Sequence, residues 1–148
     1  MVQIQELRTY DIFSELDMNE LGLLTRIAEE TYATEGEILI QVGVPARTLY
    51  IMDSGNLMVA FPDGRAFTLH KPGSLVGWSA IVHPSAYIGT VTCLTDCTLI
   101  AFPGNELLRL IQSNVKMGTK LVRKISQVVS TRLNFLPEDA KRRLNSGR

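Results

Sequence analysis

Side chains that commonly perform chemistry are few in this sequence. The two histidines, His70 and His83, lack an acidic residue that would orient them, and no serine lies in a Gly-x-Ser-x-Gly turn. A zinc site would need two well-placed ligands in addition to the two that are candidates here. Glu29 and Glu30 are adjacent, so their carboxylates point in different directions, as at a solvated helix end rather than in an acid/base pair. The sequence therefore predicts no enzyme, no metal centre and no cofactor.

Two cysteines, Cys93 and Cys97, flank the turn-like segment Leu94-Thr95-Asp96. If this segment is a hairpin, the two thiols could face each other across its strands. In a reducing compartment they are two small buried side chains, which we favour over a disulfide or a redox switch.

Length and composition indicate one ordinary globular domain. The chain has 148 residues, 45% of them hydrophobic and 20% charged, and its 15 basic residues balance its 15 acidic ones. A neutral chain has no general attraction for nucleic acid or an anionic membrane. The first residues do not resemble a signal peptide, and the longest apolar run, residues 76–82, is far shorter than the roughly 20 residues that span a bilayer. We expect a soluble, cytoplasmic protein without membrane contact.

Residues 1–30 are predicted to form an N-terminal helical segment. Asp17 and Glu20 have the spacing of a capping box at a helix start. A shorter helical turn is expected near residues 9–13. The apolar positions that follow the capping box share one helical face, and these are Leu21, Leu24, Ile27 and Ala28.

Residues 31–102 have the texture of β-structure. Turn segments such as Asp53-Ser54-Gly55 and Pro62-Asp63-Gly64 separate short runs rich in β-forming residues. Close spacing of short strands is typical of an antiparallel roll, barrel or sandwich. The eight predicted strands are residues 31–34, 37–40, 48–52, 56–61, 66–70, 75–78, 87–93 and 97–102.

Residues 103–134 return to a helical pattern, with a short helix at 106–112 and a long one at 115–134. The long helix has an apolar stripe wider than one seam, so part of it could pack on the β-structure and part on a second copy. Gly118 and Ser126 would allow close approach, and Arg123 and Lys124 should point to solvent. That the whole stripe packs on the β-structure is an equally open alternative. The predicted dimer interface is Leu121, Val122, Ile125, Val128 and Val129. The basic tail, residues 135–148, is expected to be mobile.

The order of elements, together with several short motifs, resembles the cyclic nucleotide-binding domain family over roughly residues 7–133. The catabolite activator protein and the regulatory subunit of cyclic-AMP-dependent protein kinase are members of that family. The resemblance implies a mostly β fold with flanking helices. Its core would be a double-stranded β-helix, a jelly-roll-like β-roll, with N-terminal helices and a long C-terminal helix. The motifs that carry it are Phe13-Ser14-Glu15-Leu16, Glu35-Gly36-Glu37-Ile38-Leu39, Gly43, Leu49-Tyr50-Ile51, Ser54-Gly55-Asn56-Leu57 and Pro72-Gly73.

The family's phosphate-binding cassette corresponds to residues 77–91. Its glutamate, which holds the ribose 2′-hydroxyl, is replaced by Trp78, and its arginine, which pairs with the cyclic phosphate, is replaced by Tyr87. A buried phosphodiester is costly unless a cation meets it, and a phenol offers one neutral donor. No Lys or Arg lies within residues 77–91, so we expect a neutral, aromatic pocket. The pocket residues implied by the resemblance are Leu75, Gly77, Trp78, Ser79, Ala80, Ile81, Tyr87, Ile88 and Gly89.

The favoured hypothesis is a non-enzymatic small-molecule sensor that signals through its C-terminal helices to a second copy or a partner protein. Its ligand would be a cyclic nucleotide bound weakly or a neutral aromatic or apolar compound. Trp78 and Tyr87 could instead fill the nucleotide's space, which leaves a ligand-free dimerisation scaffold as the alternative. About fifteen residues after Leu133 are too few for a DNA-binding domain, so no direct DNA contact is expected.

Overall fold

Eight strands and four α-helices make up the fold in the residues that the structure, a computed structural model, describes, which are 1–81 and 86–132. The strands are β1 (Glu29–Ala33), β2 (Ile38–Ile40), β3 (Thr48–Ser54), β4 (Leu57–Ala60), β5 (Ala66–Leu69), β6 (Ser74–Val76), β7 (Thr90–Cys93) and β8 (Cys97–Pro103). The helices are α1 (Ile4–Arg8), α2 (Met18–Thr25), α3 (Gly104–Ser113) and α4 (Val115–Thr131), and two 3₁₀ turns cover Asp11–Phe13 and Trp78–Ile81.

The strands form two four-stranded antiparallel sheets, in the orders β1-β8-β3-β6 and β2-β7-β4-β5. Apart from the β4–β5 hairpin, successive strands alternate between the sheets. Inward side chains of both sheets, Ile51 and Leu57 among them, belong to one hydrophobic core. The mostly β architecture with flanking helices, a jelly-roll-like β-roll, is confirmed.

Each predicted strand is present, with shifted ends. In β4, Leu57 and Val59 are buried while Met58 and Ala60 are partly exposed, which is the alternation of a strand with one face in the core. The turn at residues 61–65 closes this hairpin, with the Phe61 amide donating to the Arg65 carbonyl at 2.8 Å. The seventh strand was predicted from residue 87 but begins at Thr90, because Tyr87 exchanges backbone hydrogen bonds with Gly43 and Val44 in a connecting loop instead.

The N-terminal segment is helical, and its capping box is present. The Asp17 carboxylate accepts from the Glu20 amide at 2.8 Å, and Glu20 accepts from the Asp17 amide at 2.9 Å. Helix α1 lies within the predicted helical segment, although its bounds were not predicted, and it starts with a similar box between Gln3 and Glu6. The assignment of Glu29 and Glu30 to a helix end was wrong. Both are exposed residues of β1, whose backbone pairs with the central strand β8.

The apolar stripe of α4 is largely covered by the chain's own core, which corrects the predicted dimer interface. Leu121 and Ile125 are only 2% and 5% exposed. They pack with Phe13 and Phe102 against the roll and the N-terminal turn, so they are not available to a second copy. Val128 and Val129 are partly buried against the same core, and Val122 is exposed.

The structure also bears on the expectations for Gly118, Arg123 and Lys124 of α4. Gly118 provides close approach within the chain, since a Cβ there would lie 2.5 Å from the Ile111 carbonyl oxygen of α3. Arg123 is exposed, as predicted, and also pairs with Glu15 at 3.0 Å, whereas the Lys124 side chain is only 18% exposed and pairs with Asp11 at 3.5 Å. The predicted tail at 135–148 and the end of the long helix beyond Arg132 lie outside the described residues, as does His83.

None of the described helices has the length and apolarity needed to cross a membrane.

Candidate ligand pocket

The cassette segment leaves β6 at Gly77, and the residue type is required there. Gly77 has a φ of 82°, and a Cβ on it would lie 2.7 Å from the Thr48 carbonyl oxygen. The 3₁₀ turn Trp78–Ile81 follows immediately, with Trp78, Ser79 and Ala80 buried. Glycine therefore lets the chain turn sharply and carry the indole of Trp78 into the roll.

A small cavity of about 30 Å³ lies beside this turn. That volume holds a water molecule or two, whereas pockets for whole small-molecule ligands measure roughly 300–1,000 Å³. Six of the nine predicted pocket residues line it, namely Gly77, Trp78, Ser79, Tyr87, Ile88 and Gly89. The sequence analysis missed the apolar wall, which is made by Ile40, Val59, Phe61, Val76 and Val91.

The other three predicted pocket residues do not line the cavity. Leu75 is buried in β6, and only its carbonyl is relevant here, as described below. Ala80 instead packs against the start of α3, where a Cβ on Gly104 would meet the Ala80 carbonyl oxygen at 2.7 Å. Ile81 is partly buried at the end of the turn.

The Tyr87 hydroxyl forms two hydrogen bonds with the backbone of β3. The phenol donates to the Thr48 carbonyl at 2.6 Å and accepts from the Thr48 amide at 3.1 Å. Burial raises the pKa of Tyr87 above its usual value. At neutral pH the ring is therefore an uncharged wall of the cavity, and its only proton is already donated.

Trp78 fills the space next to Tyr87 and leaves a donor unused. Its side chain is 5% exposed, and within residues 1–81 and 86–132 its indole Nε1 has no hydrogen-bond partner. An unpaired buried donor is uncommon in folded proteins and calls for an acceptor. Of the two possibilities considered for the aromatic pair, stacking on a ligand or filling the cavity, the packing favours filling.

Arg132, the residue after α4, brings a positive charge into this pocket. Its side chain lines the cavity and is only 8% exposed. The guanidinium carbon Cζ lies 5.3 Å from the ring centroid of Trp78 and 5.6 Å from that of Phe67. Nη1 donates to the Leu75 carbonyl. The expectation of a neutral pocket was therefore wrong, because the cation comes from outside the cassette.

This guanidinium lacks a counter-charge from the described part of the chain, where no carboxylate forms an ion pair with it. Burial lowers the pKa of Arg132 to about 10, which leaves it protonated at neutral pH. Two aromatic faces and one carbonyl stabilise it in place of an anion. A buried cation held this way is a strong electrostatic feature at the centre of the site.

A pattern in α4 could have revealed Arg132. The buried side of the helix follows Leu121, Ile125 and Val128, and the next position at helical spacing is residue 132. A cationic residue at the next position of a buried helical stripe is expected to contact polar or aromatic groups in the interior of the protein. The sequence analysis searched for the cation only within the cassette.

The two cysteines are not joined by a disulfide. Cys93 and Cys97 are free, buried thiols in strands of different sheets, and burial with the neighbouring Cys97 raises the pKa of Cys93 to about 12. No cluster of three or more metal-binding side chains occurs among the residues described.

The fold is thus a β-roll with a cassette pocket and flanking helices, and Arg132, the residue after α4, enters that pocket. Residues 30–114 match the sequence model of the cyclic nucleotide-binding domain, and the chain belongs to that family. A solved structure of a Geobacter metallireducens protein, described as a cyclic nucleotide-binding protein, superimposes with a TM-score of 0.81. It is 21% identical and covers 90% of this chain and 99% of that one. At this identity the similarity establishes the fold.

Two curated relatives are much longer proteins. An NTE family protein of Mycobacterium tuberculosis is 21% identical over 83% of this chain, and the match covers 21% of the relative. A protein of Bradyrhizobium diazoefficiens named glutaminase 2 is 22% identical over 82% of this chain, and the match covers 19% of it. The chain thus spans about a fifth of the curated relatives it matches. The domain that it matches is regulatory in its family, rather than enzymatic.

Proposed function

We propose that this chain is a non-enzymatic regulatory domain in which the state of the cassette pocket sets the position of the end of α4. In this proposal α4 transmits that state to a second copy or to a partner protein. The observation that carries it is that Arg132, which directly follows α4, lines the cavity with its guanidinium over the rings of Trp78 and Phe67.

The energetic argument is a competition for one space. In the observed state the guanidinium is stabilised by two rings and by the Leu75 carbonyl. A ligand that displaces Arg132 releases the end of α4, and a ligand that adds to it fixes that end. Either kind has different affinity for the two arrangements of α4, as a switch requires.

Tight binding of cyclic AMP or cyclic GMP is not part of this proposal. Trp78 occupies the position of the ribose-binding glutamate, Tyr87 that of the phosphate-binding arginine, and the remaining cavity is about a tenth of the smallest usual ligand pocket. Weak binding of a cyclic nucleotide, after the pocket has rearranged, is the alternative that membership of the family suggests. The filled cavity also favours the other candidate function, a scaffold without any ligand.

We further propose that the output surface is the exposed side of α4. Val115 and Val122 are 73% and 44% exposed, and Val129 is partly buried. These three valines are spaced by seven residues, as along one seam of a parallel coiled coil. A second copy of the chain pairing along this seam would be a homodimer that leaves the core packing of Leu121 and Ile125 undisturbed.

Hydrogen exchange of α4 tests the coupling between pocket and helix. We expect Arg132→Ala to speed amide exchange in the last turn of α4 about tenfold, because about 1–2 kcal/mol of local contact is lost. The first turns should be unaffected, since Lys120 remains paired with Glu20 at 2.7 Å.

The matched control is Arg123→Ala, which removes an arginine of the same helix that pairs with Glu15 outside the pocket. It should leave exchange in the last turn of α4 unchanged. Equal protection of that turn in wild type and Arg132→Ala would contradict the proposed coupling.

A further inference from the structure

We propose that the cavity between Arg132 and Trp78 is a binding site for a compact monovalent oxyanion of the carboxylate type. Its charge is met by the guanidinium that follows α4 and not by the cassette. The assignment rests on the proposed regulatory role of the pocket and names the chemistry of its ligand.

The first argument is an excess of donors. A guanidinium has five N–H donors, and Arg132 directs one nitrogen to the Leu75 carbonyl. Trp78 Nε1 is buried and lacks a partner among the described residues. The Tyr87 hydroxyl is directed at β3, where it donates to the Thr48 carbonyl and accepts from the Thr48 amide, and it forms no hydrogen bond with Trp78 Nε1. The cavity is thus lined by a buried cation and by the residue that carries this unpaired donor, and an anionic acceptor would complement both.

The second argument is size. A cavity of about 30 Å³, with room for a water molecule or two, excludes a nucleotide, so the smallest charged head groups are the ligand groups that need the least rearrangement. A single guanidinium neutralises a single negative charge, and its planar fork matches a planar carboxylate. A short aliphatic body behind such a head group would meet the apolar wall of Ile40, Val59 and Val91, whose side chains would have to move outward to admit it.

The third argument concerns the effect that binding of the anion would have on α4. An oxyanion that accepts from Arg132 and from Trp78 Nε1 joins the end of α4 to the cassette turn. It therefore adds to the observed arrangement rather than displacing Arg132, and its binding stabilises the closed position of α4.

Trp78 provides the readout, because it is the chain's single tryptophan and lies in the site. The full chain is titrated with sodium acetate, sodium isovalerate and, as a neutral isostere, acetamide. We expect a saturable change in Trp78 emission with acetate, and no saturable change with acetamide. A non-saturating response to acetate, or an equal response to acetamide, overturns the proposal.

Arg132→Gln and Arg132→Lys separate a specific site from a general salt effect. Losing the charge-assisted bonds should weaken acetate binding about tenfold or more in Arg132→Gln. Arg132→Lys, which keeps the charge, should retain more affinity than Arg132→Gln. Unchanged acetate affinity in Arg132→Gln overturns the assignment of the cation. Circular dichroism confirms that each variant is folded.

The anion could be an organic carboxylate or an inorganic oxyanion, and comparison of acetate with isovalerate and with sodium nitrate distinguishes the two. Tighter binding of isovalerate than of acetate indicates a carboxylic acid with an apolar body, and equal stabilisation by sodium nitrate, measured as a rise in Tm, indicates an inorganic oxyanion. If Arg132→Ala loosens α4 but acetate has no effect, the anion assignment fails alone. If Arg132→Ala leaves α4 unchanged, the proposed coupling itself fails.

Discussion

Three side chains decide what the pocket can hold, and each has a different role. Trp78 takes volume, Tyr87 provides a neutral wall anchored to Thr48, and Arg132 supplies charge from the end of α4. The positive charge of the pocket is therefore contributed by the residue that follows α4 and not by the cassette. A negative ligand would contact the helix directly, instead of acting on it through the cassette.

At this scale we predict that neither cyclic AMP nor cyclic GMP binds with sub-micromolar affinity, measured by calorimetry. The double variant Trp78→Glu with Tyr87→Arg should bind more tightly than wild type, because it opens volume and restores the ribose acceptor and the phosphate cation. Either change alone should achieve less.

Tyr87→Phe is the matched control, since it removes the hydroxyl from Thr48 without adding a cation. It should not improve nucleotide binding. Sub-micromolar affinity of the wild-type chain for either nucleotide would show that the pocket opens far more readily than its packing indicates.

Among the helices, α4 is held to the N-terminal segment by three ion pairs along one side. Lys120 pairs with Glu20 at 2.7 Å, Arg123 with Glu15 at 3.0 Å and Lys124 with Asp11 at 3.5 Å. The first is the best enclosed. Its acceptor, Glu20 Oε1, also accepts from the Asp17 amide, so one oxygen links the start of α2 to α4.

We predict that Glu20→Gln lowers the free energy of unfolding by about 1 kcal/mol, measured by urea denaturation. The amide oxygen can still accept from the Asp17 amide, so the loss isolates the charge interaction with Lys120. Glu15→Gln at the more exposed pair should change stability by less than about 0.5 kcal/mol. A larger loss in Glu15→Gln than in Glu20→Gln would reverse this ranking.

The sequence predicted the elements better than their orientation. Turn segments such as Pro62-Asp63-Gly64 act locally, so they located the ends of strands and the β4–β5 hairpin, whereas Asp53-Ser54-Gly55 and Leu94-Thr95-Asp96 connect strands of different sheets. Which side of α4 faces the core depends on how the roll and the N-terminal turn close around it, and Leu121 and Ile125 were consequently misassigned to a dimer. Arg132 was missed because its contacts with Phe67, Leu75 and Trp78 join residues far apart in the chain.

For the whole molecule, the seam of Val115, Val122 and Val129 is the surface proposed to meet a second copy. It replaces the interface predicted from the sequence, because Leu121 and Ile125 are occupied inside each chain. We predict that the wild-type chain sediments as a dimer at tens of micromolar.

Val122→Glu should dissociate that dimer without unfolding the chain, because it places like charges across the seam at an exposed position. Gln127→Glu adds the same charge about 140° around α4, where it is exposed, and should leave the dimer intact. A monomeric wild type, or a dimeric Val122→Glu variant, would contradict this account.

The pairing of β1 with β8 has a consequence for how the chain acquires its structure. Glu29 lies opposite Ala101, and β8 also pairs with β3, so the last strand to be synthesised is central to its sheet. Closing so long a loop is slow compared with forming the β4–β5 hairpin. On the ribosome, β1 must therefore wait for nearly the whole roll to emerge before it gains its partner, with its edge unpaired in the meantime.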